Sequence, residues 1–298
     1  MITISICVCT KSRQEGLINL LKSFDLMTVT PDLNIEIIVV ENDRENHSEK
    51  IVREFSEKSR FRISYFLEPE PGLVFARNRS IMEAGNCDFC CFTDDDQVVP
   101  PYWLSELLRC QQEFDADGVA GPTFPIFTSE VPPYIKEFHS PTIYTYGTIV
   151  KTAFTGCLLL KKKFLDLIEG PFDKRLNFTG GEDIYLTHLI SESGGVIRFN
   201  PDAVAYEIVP ENRSTINYVV RRSYRMSNTG LYVNSLKHIS YFKLKSLPRL
   251  ILRFCNGLLL IIPYMVFSRK NRLKGLIKIV KAVGGFNFAL GIQNKFYK

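Results

Sequence analysis

The chain has 298 residues, of which 45% are hydrophobic and 23% charged, enough for one large α/β domain, or one domain with an appendage, around a substantial core. That balance excludes a disordered or wholly membrane-embedded chain. The net charge of +5 is modest but gathers late, between Arg221 and Lys281, where basic residues such as Arg222, Arg225, Lys237, Arg249 and Lys274 alternate with apolar ones and acids are scarce; this fits a membrane surface and argues against nucleic acid.

Ile2 to Thr10 alternates β-formers with small residues, and Ile35 to Val40 is a near-continuous apolar run. Both read as strands of a parallel sheet buried on two faces. Leu17, Leu20, Leu21 and Phe24 recur at helical spacing between them, completing a βαβ unit. Ile51, Val52 and Phe55 predict a second helix, Ile63 to Leu67 a third strand, Arg77 to Ala84 a third helix and Cys87 to Thr93 a fourth strand. This alternation predicts a doubly wound sheet with ligand sites at the carboxyl ends of its strands, near Thr10, Glu41 and Asp94. Gly121 to Pro141 is proline-rich and reads as a long loop. Ala153 to Leu160 predicts a further strand, Phe164 to Ile168 a short helix, and Glu182 to Ser191 a helix opening on an acidic pair.

The segment Met1 to Ser5 lacks the basic and then apolar pattern of a secretory leader. The expected setting is the cytosol, with the eight cysteines as thiols. Cys87 and Cys90 form a C-x-x-C, but no second pair stands at zinc-ribbon spacing, so buried thiols are expected rather than a metal site.

Asp94, Asp95 and Asp96 follow the fourth strand with no basic residue beside them in sequence. Three like charges at a strand end call for a cation, and hard oxygen ligands suit Mg²⁺ or Mn²⁺ bridging a diphosphate. The alternative is a solvated turn capping a helix that begins near Tyr102. A second acidic pair, Glu182 and Asp183, follows Gly180 and Gly181. It could supply a general base, or Thr179 and Glu182 could form a capping box; the two roles are compatible, since a helix N-terminus holds a carboxylate rigidly.

A series of motifs carries a resemblance: Ile6 to Thr10, Val39 to Asp43, Glu68 to Arg79 (EPEPGLVFARNR), the Asp94 cluster, Thr155-Gly156, Gly180 to Asp183 and Tyr206 to Pro210. In order and spacing the chain resembles the family 2 glycosyltransferases, in particular their succinoglycan and exopolysaccharide-type bacterial members. The resemblance implies a GT-A fold, a Rossmann-like, mostly parallel sheet flanked by helices, and a nucleotide-diphosphate sugar as donor, with UDP-sugar expected. It implies that Thr10, Glu41, Arg77, Asp94 and Asp95 bind the nucleotide sugar, that Asp94 and Asp96 hold Mn²⁺ or Mg²⁺, and that Asp183, with Glu182 beside it, serves as the base of a single, inverting displacement. Glu41 stands where the family usually has Asp, Thr93 where an apolar residue is usual, Gln97 where an acid is usual, and Cys157 where Asn is common. His188 and Glu207 are lesser candidates, and Arg221, Arg222 and Arg225 could face a diphosphate or a lipid phosphate.

Phe254 to Phe267, interrupted by Asn256, Gly257 and Pro263 and flanked by basic residues, is short for a spanning helix and reads as an in-plane membrane anchor. A helical pair packed on the core or on a second copy is the alternative. The expected organisation is a catalytic domain over 1–230, with a nucleotide-sugar half (1–100) and an acceptor half (101–230), followed by a basic, apolar helical appendage over 231–298. The partners expected are the donor, a saccharide or lipid-linked saccharide acceptor and the inner face of the cell membrane; oligomeric state stays open. A dinucleotide oxidoreductase is excluded because Cys9-Thr10-Lys11-Ser12 replaces a G-x-G-x-x-G after the first strand. A catalytically inactive nucleotide-sugar-binding relative of the same fold remains as the alternative.

Overall fold

The alternation of apolar and small residues from Ile2 and the nine-residue run from Leu33 form the centre of a sheet in a computed structural model that describes residues 1–236, 239–261 and 269–292. Lys237 and the part of the apolar stretch from residue 262 to 267, with Pro263, lie outside the described residues. The first half follows the predicted order: β1 (Ile2–Thr10), α1 (Gln14–Asp25), β2 (Leu33–Glu41), α2 (Glu49–Ser56), β3 (Arg62–Leu67), α3 (Leu73–Glu83) and β4 (Phe89–Asp94). There follow β5 (Gln97–Val98), α4 (Trp103–Phe114), β6 (Gly118–Ala120), β7 (Thr123–Phe127), α5 (Pro133–His139), β8 (Thr148–Val150), β9 (Leu158–Lys161), α6 (Lys162–Asp166), α7 (Glu182–Glu192), β10 (Ile197–Phe199), β11 (Ala205–Val209), α8 (Ile216–Ser235), α9 (Ile239–Ile261) and α10 (Arg269–Ala289).

Among the described residues, eight strands form one sheet in the order β3-β2-β1-β4-β9-β6-β10-β8, and β5, β11 and β7 form a second. In the large sheet β9 runs antiparallel to both neighbours and β8 antiparallel to β10, while the other pairs are parallel. The fold is thus α/β and mostly parallel, as expected. Side-chain alternation splits the core by sheet face: Ile4, Ile6 and Val8 pack with Leu17, Leu20, Phe24 and Trp103 on one side, and Cys7, Ile38, Val40 and Phe92 with Val74, Phe172 and Leu186 on the other.

Three expectations change. The third helix begins at Leu73, four residues before Arg77, because Gly72 at φ 128° ends the proline turn and its carbonyl already accepts from Phe75 N. Ala153 to Leu160 is strand only from Leu158, since Thr155–Cys157 tightens into a 3-10 turn ahead of β9. The region from Gly121 to Pro141 holds β7 and α5 rather than one long loop; α5 starts on Pro133, a position where proline's missing N–H costs nothing.

The described chain forms two compact units. The first comprises 1–126, 141–177 and 182–208, and holds the large sheet; the second comprises 127–140, 178–181 and the described residues from Val209 on. Helix α8 runs through position 230, so secondary structure does not break there. Within the second unit Val131, Ile135, Val219 and Leu273 form a small core, and Glu137 pairs with Lys270 and Lys274 at 2.9 and 2.7 Å. In α9, Leu250 and Gly257 are buried while Ile251, Leu252, Leu258 and Leu259 are exposed beside exposed Arg249 and Arg253. Among the described residues no helix is long and apolar enough to cross a membrane.

Candidate active site

Parallel pairing delivers the acidic cluster to one sheet edge, where Thr10 is in register with Glu41 and Cys9 with Asp94. The three aspartates there are not uncompensated. Arg13, in the turn after β1, donates from Nη1 to Asp95 Oδ1 at 2.8 Å and Asp96 Oδ2 at 3.0 Å, and Thr10 Oγ1 donates to Asp95 Oδ2 at 2.8 Å. Burial pushes Asp95 up to about 6 in spite of the opposing Arg13 charge. Asp94 keeps 43% of its side chain open, yet the protein packed around it raises its proton affinity, Arg77 opposing and Asp96 adding to the shift. Arg13 and Arg77, remote in sequence, are brought onto the cluster by the fold, so the chain itself balances part of its charge.

Arg77 is the centre of the arrangement. Buried on α3 and lying over the Phe172 ring, it donates from Nη1 to Glu182 Oε1 and from Nη2 to Asp94 Oδ1, the latter at 3.2 Å. Burial alone would favour its neutral form, but Glu182, Asp94 and Asp183 together hold it charged. Asp183, one residue into α7, accepts from Ile184 N at 2.7 Å. Its carboxyl is pushed up to about 7, chiefly by burial and then by the Glu182 charge, with Arg77 opposing.

Helix α7 starts at Glu182, three residues past Thr179, whose hydroxyl donates to Gly180 O at 3.3 Å; Glu182 is turned onto Arg77. Gly180 and Gly181, at φ 81° and 87°, take left-handed backbone that permits the sharp entry into α7. Helix α4 starts at Trp103 with no side-chain cap, so the aspartates do not serve it.

Glu41 lies apart from this network. It is fully buried and accepts from Ser48 N, Ser48 Oγ and Tyr65 OH at 2.8, 2.9 and 2.6 Å, which ties β2 to the start of α2 and to β3. Asn42, not anticipated, donates to Glu68 O and Glu70 O and accepts from Gly72 N, fixing the loop that leads into α3 and Arg77. His188 points along α7 to Glu192 at 4.0 Å, and Glu207 is in register with Gln97 across the small sheet. Arg221, Arg222 and Arg225 belong to α8 in the second unit, where Arg222 bonds the Tyr218 hydroxyl at 2.8 Å.

The departures at 93, 97 and 157 prove to be partnered. Thr93 Oγ1 donates to Gln97 Oε1 at 2.6 Å, and the same oxygen accepts from Asp94 N at 3.3 Å. Cys157 Sγ accepts from the Trp103 indole at 3.1 Å and donates to Ala203 O at 3.1 Å. Gly156 is needed for its smallness: a Cβ there would lie 2.7 Å from Gln97 Nε2 and 3.5 Å from Asp94 Oδ2. Cys87 and Cys90 are free thiols 3.7 Å apart.

No three His, Cys, Asp or Glu residues among the described residues group as metal ligands. Asp94 and Asp96, both hard oxygen donors at one strand end, fit an ion that takes the rest of its shell from substrate phosphates and water, as Mg²⁺ commonly does.

Comparison with known proteins bears on this arrangement. Residues 5–166 match the profile of Glycosyl transferase family 2. The chain is 31% identical over 229 residues to the succinoglycan biosynthesis protein ExoM of Rhizobium meliloti (strain 1021), covering 76% of this chain and 73% of that one. Its fold is similar to that of the mannosyltransferase PcManGT from Pyrobaculum calidifontis in complex with GDP-Man and Mn²⁺, with a TM-score of 0.66, 14% identity and coverage of 96% and 86% of the two chains. It is also similar to S. aureus TarS 1-349 in complex with UDP-GlcNAc, with a TM-score of 0.54, 15% identity and coverage of 98% and 92%. With motifs, core strands and family profile in agreement over more than half its length, the chain belongs to glycosyl transferase family 2.

Proposed function

We propose that the protein is an inverting, metal-dependent glycosyltransferase that moves a sugar from a nucleotide-diphosphate sugar, a UDP-sugar, to a lipid-linked saccharide in surface-polysaccharide synthesis. The observation that carries this reading is Asp183, a carboxyl raised to about 7 and fixed by Ile184 N, next in the chain to Glu182, which Arg77 links to Asp94. A base is most effective when its pKa lies near the working pH. Asp183 takes the acceptor hydroxyl's proton as that oxygen attacks the anomeric carbon, and one displacement inverts the centre.

The other residues position. Glu182 acts through Arg77 and keeps Asp183 basic; Arg77 holds Asp94; Thr10 and Asp95 stand on the nucleotide side; Glu41 shapes that side through Ser48 and Tyr65. Asp94 and Asp96 are the residues that would hold Mn²⁺ or Mg²⁺, which when bound offsets charge on the departing diphosphate. The Mn²⁺ and nucleotide sugars in the complexes of similar fold, and the succinoglycan role of ExoM, support this reading. The exposed leucines and arginines of α9, and a sequence with no acidic residue after Glu211, support a site of action at the cytoplasmic face of the membrane.

The test is nucleotide release with a panel of UDP-, GDP- and TDP-sugars, with and without Mn²⁺, and NMR assignment of the product anomer. Turnover that survives chelation, survives Asp183→Asn, or retains configuration ends the mechanism as proposed. Nucleotide binding without turnover on any donor and acceptor pair favours the inactive relative.

A further inference from the structure

Arg13 sits on the acidic cluster without a role in the reaction as proposed. Its backbone is fixed, because it directly precedes α1 and its carbonyl accepts from Leu17 N at 3.0 Å. Its side chain is 46% exposed, and a single guanidinium nitrogen reaches two carboxylates of different standing. Asp95 is 5% exposed and is held by Thr10 as well; Asp96 is 20% exposed. Asp95 is the inner anchor, and Asp96 is the outer partner. Arg77 offers a contrast, since it is 7% exposed and clamped between Asp94 and Glu182.

We propose that Arg13 is a resident counter-ion that competes with the divalent metal for Asp96, so that metal loading and release of Arg13 from Asp96 are one linked event. The inference rests on the proposed metal site at Asp94 and Asp96. Asp96 Oδ2 cannot keep a 3.0 Å contact with a guanidinium and bind a dication without bringing two positive groups within a few ångströms of each other, where Coulomb repulsion is only partly screened. Because the backbone at Arg13 is pinned, the response is a rotation of the exposed side chain about the Asp95 anchor. The released N–H donors suit phosphate oxygens, which the planar guanidinium fork matches well. Linkage then makes the effect reciprocal: a diphosphate that draws Arg13 off Asp96 tightens the metal, and the metal tightens the diphosphate.

The experiment is Mn²⁺ affinity measured by EPR of the free ion with the full chain, with and without UDP, for wild type, Arg13→Gln, Arg13→Lys and Asp96→Asn. Arg13→Gln is expected to bind Mn²⁺ about fivefold more tightly in the absence of UDP, the weight of one partly exposed ion pair, and to gain less than wild type when UDP is added. Arg13→Lys, a point charge unable to bridge both carboxylates as the guanidinium does, should fall between and keeps the test open should the Gln variant fold poorly by circular dichroism. Unchanged or weaker Mn²⁺ binding in both Arg13 variants, with Asp96→Asn still weakening it, overturns the competition alone. Absence of Mn²⁺ binding in every protein with and without UDP overturns the metal reading, and the competition with it.

Discussion

Arg77 and Glu182 are 105 positions apart in the chain, yet they form a buried ion pair that joins α3 to the head of α7 and leaves a second guanidinium nitrogen for Asp94. Removing one partner of such a pair strands the other's charge in a poorly solvated site. Arg77→Met is therefore expected to destabilise the protein by about 3–5 kcal/mol, read from the urea unfolding midpoint. Most of that cost falls on Glu182, at 8% side-chain exposure, rather than on the more open Asp94. The double variant Arg77→Met/Glu182→Leu should regain much of the stability and none of the transfer activity. Equal instability of single and double variants would show that Glu182 is not the residue stranded.

The Thr93–Gln97 contact makes two unusual residues into one feature. A hydroxyl on a buried strand needs an acceptor, and the amide oxygen four residues on supplies it at 2.6 Å while also bracing Asp94 N. Thr93→Val and Gln97→Leu are each expected to cost about 1–3 kcal/mol, and the double variant less than their sum by about 1 kcal/mol. Strict additivity in urea midpoints would mean that the contact contributes nothing.

These two contacts mark where the sequence stops being readable. The βαβ frame was legible because burial imposes a pattern on it: Leu17, Leu20, Leu21 and Phe24 are all buried on α1, and the middle of β1 and the second half of β2 are buried on both sheet faces. Strands β6, β8 and β10, at three residues each, are too short to show any period. Within the site, the acids stood out as a cluster and Asp183 as the head of a helix. Their counter-ions did not, because pairing of Arg13 with Asp96 and of Arg77 with Glu182 depends on which turns and helices the fold brings together. Asn42 gave no signal beyond its place after Glu41, since its partners are backbone atoms of a loop about 30 residues away.

The raised Asp183 carboxyl gives the reaction a pH signature. A base must be ionised to act, so with a pKa pushed up to about 7 the rate is expected to fall about tenfold per pH unit below that value. Glu182 raises Asp183 by like-charge repulsion, and Arg77 lowers it. Glu182→Gln removes the first influence and leaves the second, so the acidic limb of kcat should move to lower pH, while Asp183→Asn should cost about 10²–10⁴ in kcat. A limb that stays in place in Glu182→Gln assigns the titration to a group other than Asp183.

Helix α9 sets the last expectation. Leu250 and Gly257 are buried one heptad apart, and Leu252 and Leu259 are exposed, at 62% and 64%, with the same spacing, so the helix turns an apolar ridge outward with Arg249 and Arg253 beside it. Water is a poor solvent for that ridge, and the absence of any acidic residue after Glu211 favours an anionic surface, which together with the apolar ridge suits an anionic bilayer. Each arginine near such a bilayer contributes about 1 kcal/mol, so Arg249→Gln/Arg253→Gln should weaken binding to phosphatidylglycerol-containing vesicles about 30-fold, an effect that added salt imitates. Leu252→Ser/Leu259→Ser should weaken it at high salt as well, where only burial of apolar surface holds the protein down. Flotation with vesicles of neutral and anionic lipid separates the two contributions. If all three proteins float alike, while sedimentation shows wild type to be a dimer and the leucine variant a monomer, the ridge is covered by a second copy of the chain and not by lipid.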